Sequence, residues 1–144
     1  MDTCPKIIGR DDLINQSVST LKSHNICLHG APGVGISAVT DQLLRRLAKE
    51  HSTVRSATIH LTDLTEWSDV VYALGKQLYV TLPGDEAAVA LAIRKGKDIY
   101  VCIDNADLDP SLTKRTLTAF SNASWILTSH TPLQGATAIE VPPL

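Results

Sequence analysis

The chain has 144 residues, 44% of them apolar and 19% charged, with a formal net charge of -2. That is the size and balance of one globular domain, and it argues against a disordered chain and against a basic, polyanion-binding surface. Aromatic residues make up only 4%, so stacking platforms for single-stranded nucleic acid are scarce, and neither nucleic acid nor a membrane is expected as a partner.

Leu13, Ile14, Val18 and Leu21 recur at helical spacing behind Asp11 and Asp12, which predicts an amphipathic helix over 11–22 with carboxylates at its N-terminus. The run ICLHG then reads as a short strand, GAPGVGIS (Gly30 to Ser37) as a glycine-rich loop, and Val39, Leu43, Leu44 and Leu47 as the buried stripe of a helix opening near Ile36. SATIHL (56–61) predicts a second strand, Val70, Val71, Leu74 and Leu78 a helix, and Asp85 to Arg94 another beyond the break at Leu82-Pro83-Gly84. IYVCIDNAD has the continuous apolar pattern of a strand buried on both faces. A helix over Ser111 to Phe120, the strand WILTSH and a last short strand TAIEV complete the chain.

Strands alternating with helices predict an α/β domain whose parallel sheet is covered on both faces, with ligands at the carboxyl ends of the strands. One domain over 1–144 is expected, its core running from 25 to 144. Cys4, Cys27 and Cys102 form no C-x-x-C pair, and no segment resembles a signal peptide; a reduced, cytoplasmic protein is expected. The histidines make no metal-ligand spacing. Trp67 and Trp125 read as core anchors.

Gly30, Gly33 and Gly35 let backbone N–H groups turn inward, and the helix beginning at Ile36 adds its positive end, so the segment Gly30 to Ala38, with Val34 among it, attracts an anion. The spacing G-x-x-x-x-G-x-S is that of a phosphate-binding loop, with Ser37 at the magnesium-binding hydroxyl position. Ile36 stands where the lysine that reaches the β and γ phosphates belongs. Losing such a charged donor costs about 1.5–3 kcal/mol, on the order of 10- to 100-fold in affinity. Asp104, at the end of an apolar strand, can address magnesium; Thr128, Ser129 and His130 emerge at another strand end, where they could face a γ phosphate. GVGISA also fits a dinucleotide fingerprint, and Tyr72-x-x-x-Lys76 has the spacing of a dehydrogenase pair. An NAD(P)-dependent oxidoreductase is therefore an alternative, weakened because no acid ends the second strand at the required distance.

IIGRDDL, CLHGAPGVGIS, YVCIDNAD, WILTSHTPL and IEVPPL, in this order, resemble the nucleotide-binding core of the STAND signal-transduction NTPases, relatives of the NB-ARC regulators and, more distantly, of AAA+ ATPases. The resemblance implies a five-stranded P-loop fold with the Asp104 strand one removed from the phosphate-loop strand. It implies ADP or ATP with magnesium as ligand, Ile8, Gly9 and Arg10 near the adenine, residues 30 to 37 around the phosphates, Ser37 and Asp104 toward the metal, and Thr128 to His130 as sensor. The family pattern has lysine where Ile36 stands and arginine where His130 stands, so weak binding with little or no hydrolysis is expected. The family's lid follows the segment matched by IEVPPL, so a partner protein supplying a lid or effector is a further expectation. A scaffold that binds no nucleotide is the other reading.

Overall fold

The computed structural model describes the backbone of residues 4–31 and 35–142, and their side chains from residue 11 onward. Five strands form one sheet in the order β2-β3-β4-β1-β5, every neighbouring pair parallel: β1 (Ile26–His29), β2 (Val54–His60), β3 (Asp98–Asp104), β4 (Ser124–Ser129) and β5 (Thr137–Glu140). One strand, β4, lies between β1 and β3.

Five helices connect and flank them: α1 (Cys4–Leu21), α2 (Ile36–Glu50), α3 (Trp67–Gln77), α4 (Glu86–Lys95) and α5 (Pro110–Ala119). A 3-10 turn, Ala106–Leu108, leads from β3 to α5. Side chains alternate across the pleat. Ile26, Leu28, Cys102, Ile126 and Ile139 join the buried residues of α1 and α2 in one cluster, while Cys27, Val101, Ile103, Trp125 and Leu127 join those of α3, α4 and α5 in another. The result is the expected three-layer α/β/α domain.

The central strands bury both faces. Val101, Cys102 and Ile103, and Trp125 through Ser129, are all buried, which is why their sequences run apolar without alternation. Cys27 and Cys102 are free buried thiols. Trp125 is fully enclosed, its indole N–H donating to the Phe120 carbonyl at 2.9 Å. Trp67 stacks on Phe120 with ring centroids 5.8 Å apart and carries the Arg115 guanidinium 4.1 Å above its own ring. Both tryptophans are anchors, as expected.

Helix starts follow their caps. Asp85 accepts from the amides of Ala87 and Ala88 at the head of α4, Asp109 accepts from Leu112 at the head of α5, and Glu66 with Asp69 forms a reciprocal capping box on α3. The first helix departs from expectation. It spans Cys4–Leu21 rather than 11–22, so Asp11 and Asp12 lie mid-helix and exposed instead of at its N-terminus. Pro5 explains the earlier start, because proline in the first helical turn forfeits no backbone bond and has φ preset for a helix. Ile8, Gly9 and Arg10 are consequently helical residues.

Candidate functional site

β1 ends at His29, and the chain passes through Gly30 toward α2. The Gly30 amide donates to the Ser129 carbonyl at 3.3 Å, which ties the entry of the loop to the tip of β4. At the exit, Gly35 takes φ 85° and ψ 34°, a left-handed conformation in which a Cβ is strained, and no side chain caps the helix it opens. The first amides of α2 are thereby left facing the loop, the arrangement that suits an anion. Gly33 and Val34, assigned to phosphate binding, lie outside the described residues.

The hydroxyl of Ser37 is exposed in the first turn of α2, and Ala38 beside it is exposed too. Ile36 is partly buried against the cluster formed by α1, α2 and the sheet. Its side chain therefore serves the core.

A cleft of about 250 Å³ opens between α2 and the upper ends of β2 and β3, lined by Ser37, Thr40, Asp41, Leu44, Thr58, His60, Cys102 and Asp104. Ser37 and Asp104, 67 positions apart in sequence by their numbering, thus share one wall-to-wall space. The Asp104 side chain is 23% exposed. Its Oδ1 accepts a hydrogen bond from the Thr128 hydroxyl at 2.7 Å, and its Oδ2 lies 3.2 Å from His60 Nδ1. Thr128 Oγ1 in turn accepts from the Asn105 amide at 3.0 Å, which holds Asn105 in its left-handed turn at φ 59°. A carboxylate oxygen and a hydroxyl across one cleft are hard donors of the kind magnesium takes, usually in company with water and phosphate. Among the described residues no group of three or more His, Cys, Asp or Glu could hold a metal by itself.

His60 escapes sequence reasoning. It has no metal spacing and no motif; only the parallel register, which sets His60 opposite Asp104 and Thr58 opposite Cys102, brings it to the cleft. Conversely, Ser129 and His130 are not among the cleft's lining residues. Ser129 is buried at 5%, its hydroxyl donating to the Thr131 carbonyl and lying 3.4 Å from Cys27 Sγ. His130 lies at the surface, with its backbone amide and its ring Nδ1 both 3.1 Å from Asp107 Oδ2. Of the expected sensor, only Thr128 reaches the Asp104 carboxylate. Side chains of Ile8, Gly9 and Arg10 lie outside the described residues.

Burial, reinforced by the Asp104 charge, pushes the Cys102 thiol up to about 12, so this cleft residue is a neutral, unreactive wall. Neither arginine of α2 replaces the missing lysine: Arg45 pairs with Asp41 at 3.0 Å, and Arg46 binds Glu50 at 3.3 Å and Asn15 at 2.8 Å.

No protein-family model and no curated protein matches the sequence. Solved structures do match. Cdc6p from Pyrobaculum aerophilum superposes with a TM-score of 0.71 over 92% of this chain and 45% of its own, at 15% identity. The Aeropyrum pernix ORC1 protein, solved in complex with DNA, gives 0.71 over 94% and 45% at 17% identity. A DNA replication initiation factor gives 0.53 over 91% and 44% at 15% identity. The fold is the P-loop NTPase fold. At these identities the likeness carries architecture alone, and the chain spans less than half the length of each of these neighbours.

Within the P-loop fold, Gly30 follows the first strand, Ile36 and Ser37 open the helix after it, and Asp104 ends the strand one removed from β1. Tyr72 and Lys76, the dehydrogenase-like pair, lie on α3 in the β2 to β3 connection, with the ammonium 5.9 Å from the tyrosine ring. Neither lines the cleft. No described helix is long and apolar enough to cross a membrane.

Proposed function

We propose that this chain is a degenerate nucleotide-binding core of the STAND kind, holding ADP or ATP weakly with little or no hydrolysis and acting as a regulatory module. The observation that carries the reading is the meeting of Ser37 and Asp104 across one cleft at the mouth of a P-loop fold. Phosphates would be bound by loop amides and the N-terminus of α2, and magnesium would be addressed by Ser37 and Asp104. With Ile36 and His130 in place of two cations, the charge on a transferred phosphoryl group goes unstabilised, which is nearly all the catalysis such a site performs. The five motifs in STAND order support the finer assignment.

Calorimetric titration with ADP, and with ATP plus magnesium, from micromolar to millimolar tests this reading. Saturable binding weakened by Ser37→Ala is the expected result; a folded protein that gives no heat at millimolar nucleotide would refute it. That second outcome would favour a protein-interaction scaffold, a reading supported by the packing of Ile36 into the core. The expectation against nucleic acid rests on the net charge of -2 and the 4% aromatic content, and the DNA-bound ORC1 protein among the structural neighbours lends it no support.

A further inference from the structure

We infer that His60 guards Asp104, competing with a divalent cation for the carboxylate, so that the site takes its metal more weakly than it would with Oδ2 free. The inference rests on the proposed role of Asp104 as the magnesium carboxylate. Both oxygens of that carboxylate are engaged, but by unequal partners. The Thr128 hydroxyl that serves Oδ1 is 3% exposed and is itself held by the Asn105 amide, so it belongs to the framework. The His60 ring that serves Oδ2 is 73% exposed and rests on the open end of β2. Oδ2 is therefore the oxygen that can be freed for a metal or its water, and His60 is what must move.

The register makes the contact intrinsic to the fold. His60 and Asp104 are partners in the parallel ladder, and the ladder continues past them through the Leu61 amide to the Asp104 carbonyl at 3.1 Å. With a carboxylate as acceptor, Nδ1 is the donor, and the opposite ring nitrogen has no hydrogen-bond partner among the described residues. An incoming cation meets a donor N–H where it needs a free lone pair. A hydrogen bond of this exposed kind shifts a competing equilibrium by roughly three- to tenfold.

The test uses magnesium alone on the isotope-labelled protein, following the Asn105 and Leu61 amides by NMR. Magnesium takes oxygen ligands and discriminates against imidazole, so the ring does not itself create a site. His60→Ala should lower the half-saturating magnesium concentration roughly three- to tenfold, while His60→Asn, whose amide nitrogen can replace Nδ1 as donor, should titrate like the parent. Equal titrations of parent and His60→Ala, or no response in any of the three, would overturn the inference. No nucleotide is present, so a protein that fails to bind ADP in calorimetry would defeat the proposed function while leaving the magnesium result to be judged by itself.

Discussion

The Thr128 hydroxyl donates to Asp104 Oδ1 at 2.7 Å and accepts the Asn105 amide at 3.0 Å, joining the tips of β3 and β4 in one buried relay. Thr128→Val keeps the shape and removes both bonds, leaving an amide and a carboxylate oxygen short of a partner. A loss of about 1–3 kcal/mol in urea unfolding is expected. Thr128→Ser, which keeps the hydroxyl and drops the methyl, should recover most of it, and a Thr128→Val variant as stable as the parent would show that the two bonds contribute nothing.

Ile36→Lys tests the loop. The isoleucine contributes apolar burial to the α1 and α2 cluster, so the variant should lose on the order of 1 kcal/mol of stability. It should also gain roughly 10- to 100-fold in ATP affinity through the restored phosphate donor. Calorimetry and urea unfolding on the same sample read both effects. Regained ATPase activity would mean the rest of the machinery is intact.

Gly75, in the last turn of α3, lies against the backbone of Pro83: an added Cβ would clash with the Pro83 carbonyl oxygen. Backbone cannot give way as a side-chain tip can. Gly75→Ala is expected to destabilise by about 1–3 kcal/mol despite alanine's better helix propensity, and a neutral result in thermal unfolding would show that the loop at 82–84 moves freely.

Gln77 closes the open edge of β2. Its side-chain amide accepts from the Thr58 amide and donates to the Thr58 carbonyl, both at 2.8 Å, as a neighbouring strand would. Gln77→Ala bares these groups to solvent, so the stability change should stay near 1 kcal/mol. Self-association through the freed edge should rise, read by light scattering against concentration.

The Cys102 thiol, held up to about 12 against the ordinary thiol value of 9.0, ties stability to alkaline pH. Below pH 9 the thiol is protonated in folded and unfolded chains alike and contributes no slope. Between 9 and 12 the unfolded chain loses this proton and the folded chain keeps it. Stability therefore falls as pH rises, with a contribution approaching about 1.4 kcal/mol per pH unit. Cys102→Ala should flatten the slope by that amount over the same window.

Much of this protein was legible in its sequence because the signals are local. The apolar runs ICL, YVCI and WILT read as strands, YVCI as one buried on both faces, and the helices over 85–94 and 111–120 were placed to within a residue of their starts at Glu86 and Pro110. The glycine spacing located the loop, and the absence of a lysine at Ile36 needed no coordinates. Pro5 was a local signal as well, and weighing Asp11 and Asp12 above it misplaced the start of α1. Tertiary structure alone decided which strand ends are neighbours. The pairing of His60 with Asp104 is a property of register between segments over forty residues apart, and no residue type encodes register. For the same reason Thr128 and His130, two positions apart on one strand end, part company: the threonine serves Asp104 at the cleft while the histidine is bound by Asp107 at the surface.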